Sequence, residues 1–276
     1  MARCPFATWR PISGSSGAHV GGPFKIVHHT TEGSSAEGAM SAFQRNRSDP
    51  HFTVDGTNIF QHIDTAEGAR ALRNDPGGVQ TNRDSAVQIE LVGFAHLPKN
   101  AAALTNLARL CRWIETTHDV PRTWPAGPPR PARNGRDPGG HNRDARVWDS
   151  QGGHYGHCHV PENTHWDPAY SAQEVAFIMN ATFGADGRLI SPEPPRAPVR
   201  MQRRGAARAQ PEASTMPDHG VVAAGVGSYI RNLSLPAAQA MPAPVRKKAR
   251  AKAAPARLRA EPPPPAFEEN GRASGR

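Results

Sequence analysis

The stretch PFKIVHHTT, residues 23–31, decides how this chain is read. A short apolar, β-branched run bounded by Pro and by small polar residues has the pattern of a buried strand. It ends in two consecutive histidines. Neighbouring strand residues point to opposite sides of a sheet, so at most one of His28 and His29 can face a given site. Working outward, Ser34 or Ser35 is placed to cap a helix over AEGAMSAFQRNR. HFTVDGTNIFQHI, residues 51–63, reads as two short strands around Asp55-Gly56, a strong hairpin signal. TAEGARALR, residues 65–73, reads as a helical turn or a lid segment. SAVQIELVGFA, residues 85–95, reads as a central strand with Val87, Ile89 and Leu91 on one face and Gln88, Glu90 and Val92 on the other. In AAALTNLARLCRWIETTH the residues Leu104, Leu107, Leu110, Cys111 and Ile114 form a helical stripe at spacings of three and four. Residues 120–153 are rich in Pro, Gly, Arg and Asn, and a loop of that length is often functional. SAQEVAFIMNATF closes the pattern with a last helix. Strands alternating with helices predict an α/β layered fold.

Charge divides the chain in two. Through Asn180 it carries 17 basic and 17 acidic residues; beyond it, 16 and 7, so the net charge of +9 belongs to the last 96 residues. Those residues also hold 14 of the 28 prolines. Few large apolar side chains and repeated Pro predict a largely disordered basic tail. The expected organisation is one domain over residues 5–183 and a Pro/Ala/Arg-rich tail over 184–276. Three cysteines, Cys4, Cys111 and Cys158, are too few and too scattered for a disulfide framework. The opening residues lack the apolar core of a signal peptide, and no apolar run is long enough to span a membrane. The expectation is a soluble chain made in the cytoplasm, with any export by a non-classical route.

The chemistry concentrates in GGHYGHCHVPENTHWDPAY, residues 152–170, which contains His154, His157, His159, His165, Cys158 and Asp167. Zinc takes His nitrogen, Cys sulfur and carboxylate oxygen, and a catalytic zinc keeps one position open. Spacing alone does not choose among these donors. Each histidine by itself is as well explained by a solvated loop; their clustering is not.

KIVHHTT, HFTVDGTNIFQHI, VQIELVG and GHCHVPENTHWDP, in this order and spacing, resemble the zinc-dependent N-acetylmuramoyl-L-alanine amidases of the type-2 class, which include endolysin amidases and peptidoglycan recognition proteins. The resemblance spans about residues 5 to 180. It implies a mixed central β-sheet flanked by helices. It also implies one zinc ion with ligands His28, His157 and Asp167, and Glu90 acting on the zinc-activated water. His165 occupies the place where many members carry Lys; His can donate a hydrogen bond in either protonation state, so it is taken as the second catalytic residue, stabilising the oxyanion. Ala169 replaces the usual Gly after Asp-Pro. His51 is expected to serve as a hydrogen-bonding residue, His159 as a substrate-facing or supporting one, and Asn163 and Trp166 to line the groove or shape the turn.

The implied reaction is hydrolysis of the amide between N-acetylmuramic acid and L-alanine, with peptidoglycan or a muropeptide as partner and a monomeric enzyme. The rival readings are a peptidoglycan-binding protein of the same fold without chemistry, and a zinc amidase acting on another acyl-amino substrate. For the basic segment VRKKARAKAAPARLR, non-specific contact with anionic polymers is expected; the lack of interleaved aromatic residues argues against single-strand nucleic-acid binding.

Overall fold

All six residues of the strand Lys25–Thr30 are buried, including a lysine and two histidines, so this strand lies in the interior of the described residues. The computed structural model describes residues 2–195. In chain order the strands are β1 (Thr8–Trp9), β2 (Gly17–Ala18), β3 (Lys25–Thr30), β4 (Phe52–Val54), β5 (Ile59–Gln61), β6 (Glu67–Gly68), β7 (Ala86–Leu91), β8 (Gly153–Gly156), β9 (Thr182–Phe183) and β10 (Leu189–Ser191). The helices are α1 (Ala36–Asn46), α2 (Ala101–His118), α3 (Ala145–Ser150) and α4 (Ala172–Asn180). Six strands form one sheet in the order β1-β5-β4-β7-β3-β8. Only the β4–β5 hairpin is antiparallel; β3 runs parallel to both β7 and β8. The fold is therefore α/β with a mixed central sheet.

Local signals place the elements. Ser35 caps α1 by accepting from the Gly38 amide, and Ser171 and Glu174 form a reciprocal capping box on α4. In the 55–58 turn the Asp55 carboxylate accepts from the Thr57 and Asn58 amides, which closes the hairpin. One face of the sheet contributes Ile26, Phe52, Val54, Val87, Ile89 and Leu91 to a core with Leu104, Leu107, Leu110 and Ile114 of α2 and Phe177 and Ile178 of α4. On the other face Val27, Ala86 and Tyr155 pack with Leu72 and Trp148, and Phe60 packs with Ala36 and Met40 of α1.

Two expectations change. Residues 65–73 do not form a helical turn: β6 pairs with β2, and a Cβ at Gly68 would stand 2.9 Å from the Asn82 carbonyl oxygen, so only glycine permits this close approach. The Arg70 guanidinium and amide are both held by Asp49, and the Leu72 amide by the Asn82 side chain, which replaces helical bonding with ties to other segments. The second change is at the end of the domain. The chain continues past residue 183 through the β9–β10 pair, and Phe183 and Leu189 both pack on the core. Residues 196–276, the bulk of the expected tail, lie outside the described residues.

Candidate metal centre

The register of three parallel strands assembles the site. His29 on β3 is paired with Glu90 on β7, and Glu90 with Thr53 on β4, so these side chains share one row and one face. On the other side of β3, His28 pairs with Gly156, the last residue of β8. The chain then turns into a single 3-10 turn, His157–His159, which sets His157 beside His29. The loop 160–166 brings Asp167 back to this point, where its Oδ2 accepts from the Thr30 amide at 3.0 Å.

Two imidazoles and a carboxylate meet there. His29 Nδ1 and His157 Nδ1 are 3.0 Å apart, and His157 Nδ1 is 3.3 Å from Asp167 Oδ1. The three ligand atoms lie within 4.8 Å of one another, and all three residues are buried. Glu90 Oε1 approaches His29 Nδ1 to 3.8 Å.

The tautomer of a neutral His157 follows from Asn163. Its amide nitrogen donates to the Arg73 and Pro161 carbonyls, so its oxygen faces the other way and accepts from the Arg73 amide and from His157 Nε2 at 3.0 Å. A His157 that carries its proton on Nε2 turns a bare Nδ1 lone pair toward His29 and Asp167. The Asp167 carboxylate is a second acceptor facing inward, and His29 Nδ1, 3.0 Å from His157 Nδ1, meets them either as a hydrogen-bond donor or, with its proton on Nε2, as a third ligand atom for a cation. Two further buried atoms have no hydrogen-bond partner, His29 Nε2 and Glu90 Oε2. Zinc fits this set: bonds of about 2.0–2.2 Å place the ligand atoms of one tetrahedral ion roughly 3.3 Å apart.

The three groups are also coupled electrostatically. Burial would raise the Asp167 carboxyl, but the charge and hydrogen bond of His157 and the charge of His29 outweigh it and hold the group well below the carboxylate range. Burial pushes Glu90 well above its usual value, and the nearby Asp167 and Glu32 carboxylates push the same way. Burial drives His29 far down, with His157 adding to it. A cation among these groups favours ionised carboxylates and neutral imidazoles.

His28 is not part of this set, which corrects the ligand expected from sequence. Its side chain lies on the opposite face of β3, where it meets His154 at 3.0 Å and Tyr170 at 3.3 Å. His28, His154 and Cys111 form a second group of potential donors. There, however, every imidazole nitrogen already has a partner. Glu115, gripped by Arg112 and Arg122, accepts from His154 Nε2 at 3.0 Å. His154 Nδ1 is thereby an acceptor for His28 Nε2–H, and His28 Nδ1 accepts from the Tyr170 hydroxyl. Burial raises the Cys111 thiol strongly, which keeps it neutral. This cluster closes without an ion.

The other expected residues fall around the first set. The structure places His165 with its ring stacked on His157, centroids 4.5 Å apart and planes at 13°, its Nδ1 3.7 Å from Asp167 Oδ1 and its side chain 56% exposed. His51 is fully buried and hydrogen-bonded through both nitrogens, to the Glu67 carbonyl and from the Gln88 amide. His159 is buried and accepts from the Gly156 amide, so it braces the turn instead of facing a groove. Asn163 emerges as the residue that orients His157; its spacing from His157 gave no sign of that partnership.

Residues 22–170, more than half of the chain, match the family described as N-acetylmuramoyl-L-alanine amidase. No curated protein matches the sequence. Among solved structures, the chain is similar to the hydrolase AmiA of Staphylococcus aureus in complex with its ligand, at 18% identity and a TM-score of 0.44, covering 64% of this chain and 83% of that one. AmpD is similar at 15% identity and 0.42, covering 64% and 96%. The endolysin amidase LysCS from Clostridium intestinale is similar at 17% and 0.34, covering 43% and 79%.

Proposed function

The chain belongs to the N-acetylmuramoyl-L-alanine amidase family, and from that premise we propose that it hydrolyses the amide between N-acetylmuramic acid and L-alanine in peptidoglycan, using one zinc ion held by His29, His157 and Asp167. The observation that carries the reading is the buried triangle of two Nδ1 atoms and a carboxylate oxygen, in which Asn163, bonded to the far nitrogen of His157, leaves the His157 Nδ1 free to ligate.

When bound, zinc supplies Lewis acidity, which makes water a nucleophile near neutral pH and polarises the amide carbonyl. The protein supplies the remaining parts. Glu90, with one carboxylate oxygen unpartnered, accepts a proton from the attacking water and returns it to the leaving amine. His165, at the exposed rim and stacked on His157, offers an N–H toward the oxygen that gains negative charge, a contribution of about 100- to 1000-fold where such donors are preorganised. Asn163 and the Thr30 amide hold two of the ligands in place, so little reorganisation is required when substrate arrives. Among the described residues no helix is long and apolar enough to cross a membrane, and we read the enzyme as a monomer working on peptidoglycan or its fragments. Binding of anionic polymers by the segment 245–259 is a separate proposal, outside the described residues.

The test is incubation of purified protein with purified sacculi, with and without a chelator, reading the released material by mass. Free stem peptides beginning with L-alanine, lost on chelation and restored by zinc, are the expected result. Unchanged sacculi in the presence of zinc would refute the reading.

A further inference from the structure

The hydrogen-bonded chain on the opposite face of the sheet is tied to the ligand set residue by residue. His28 adjoins His29. His154 lies three residues before His157, and Tyr170 three residues after Asp167. Thus each of the three segments that carry a ligand also carries one member of the chain Tyr170–His28–His154, whose far end is anchored to α2 through Glu115.

The geometry points to Glu115, His154, His28 and Tyr170 as positioning residues of the metal centre: a rigid tie on the far face that holds β3, the end of β8 and the 167–170 turn in the mutual register that brings His29, His157 and Asp167 together. This inference rests on the zinc reading above. Three observations support it. The chain is directional, because Glu115 is fixed by Arg112 at 2.6 Å and Arg122 at 2.8 Å and so fixes both tautomers in turn. His28, His154 and Tyr170 are fully buried, and Trp124 lies against both imidazoles, with centroids at 5.2 and 5.4 Å, which limits competition from water. The two ladders that β3 makes with β7 and β8 transmit the register directly, since His28 and His29 are adjacent on one strand. Ligand constellations need supports of this kind, because looseness of even half an ångström is paid in affinity.

The experiment uses the full chain loaded with cobalt in place of zinc. Wild type, Tyr170→Phe, Glu115→Ala and Glu115→Gln are compared for cobalt stoichiometry, visible spectrum and zinc affinity by chelator competition, at a temperature where each is folded by circular dichroism. Tyr170→Phe keeps the ring and removes one link; Glu115→Gln keeps an acceptor for His154, whereas Glu115→Ala does not. We expect one cobalt per chain, no thiolate-to-cobalt charge-transfer band, zinc affinity about 10-fold weaker for Tyr170→Phe and Glu115→Ala, and recovery toward wild type in Glu115→Gln. Zinc affinities within twofold of wild type in both weakened variants would overturn the inference while leaving the metal centre intact. A second cobalt with a thiolate band would also overturn it, by making Cys111, His28 and His154 a metal site of their own. A wild-type chain that binds no cobalt would remove the zinc reading itself.

Discussion

His28 and His29 are neighbours in sequence, equally buried, and each sits 3.0 Å from a second imidazole, yet their surroundings have opposite consequences. On the His28 face a carboxylate pinned by two arginines starts a chain in which each donor meets an acceptor and ends on a phenol. On the His29 face the amide of Asn163 turns His157 Nδ1 toward His29 and Asp167, and two buried atoms, His29 Nε2 and Glu90 Oε2, have no hydrogen-bond partner. A count of histidines does not separate the two clusters. What separates them is whether the hydrogen bonds close.

The largest contrast is expected from substitution. His29→Ala should abolish zinc binding at micromolar metal and lower turnover of muropeptide by at least about 1000-fold, because it removes a ligand. His28→Ala should leave zinc bound, weakened only about 10-fold as for the other links of its chain, and lose about 2–4 kcal/mol in denaturant unfolding of the metal-free protein from a buried cavity and an unpaired His154. Reversal of these two phenotypes would exchange the roles of the faces. Next in size, Glu90→Gln should cut kcat by about 100- to 10,000-fold while zinc affinity measured by competition stays within a few-fold, which separates proton transfer from metal binding. His165→Ala, at the exposed rim, should lower kcat by about 100-fold with KM little changed. Asn163→Ala should weaken zinc binding about 10- to 100-fold by freeing the His157 tautomer.

The smallest effect concerns pH. Histidines whose hydrogen bonds close should resist protonation, and burial lowers His51 to about 3, against a backbone hydrogen bond from His51 to the Glu67 carbonyl that favours the charged form. A histidine with a folded value below its unfolded one makes the unfolded chain take up more protons as acid is added. Stability is therefore full above about pH 6.5 and falls as pH drops toward 3. From His51 alone, unfolding free energy should decline by about 1 kcal/mol between pH 7 and 5.5. Replacing His51 with Gln should flatten that part of the profile, which chemical denaturation at several pH values will show.

Much of this was legible in the sequence. The central strand at 86–91, the Asp55 turn, the serine cap of α1 and the α2 stripe all follow from local chemistry, and residues 152–170 stand out as crowded with donors, among which the family resemblance, not the spacing, singles out His157 and Asp167. The alternation of a strand also shows that only one of His28 and His29 reaches the site. It does not show which, because that depends on where β3 is registered against β8 and on which side the 157–159 turn leaves the sheet, both set by contacts more than 120 residues apart. Asn163 and Gly68 were hidden for the same reason: their partners, His157, Arg73 and Asn82, become neighbours only after the chain has folded.

The most direct test is anomalous diffraction at the zinc absorption edge from crystals of the protein grown or soaked with zinc. The account predicts a single peak bonded to His29 Nδ1, His157 Nδ1 and Asp167 at about 2.0–2.2 Å. A peak between His28, His154 and Cys111, or none at either place, would contradict it.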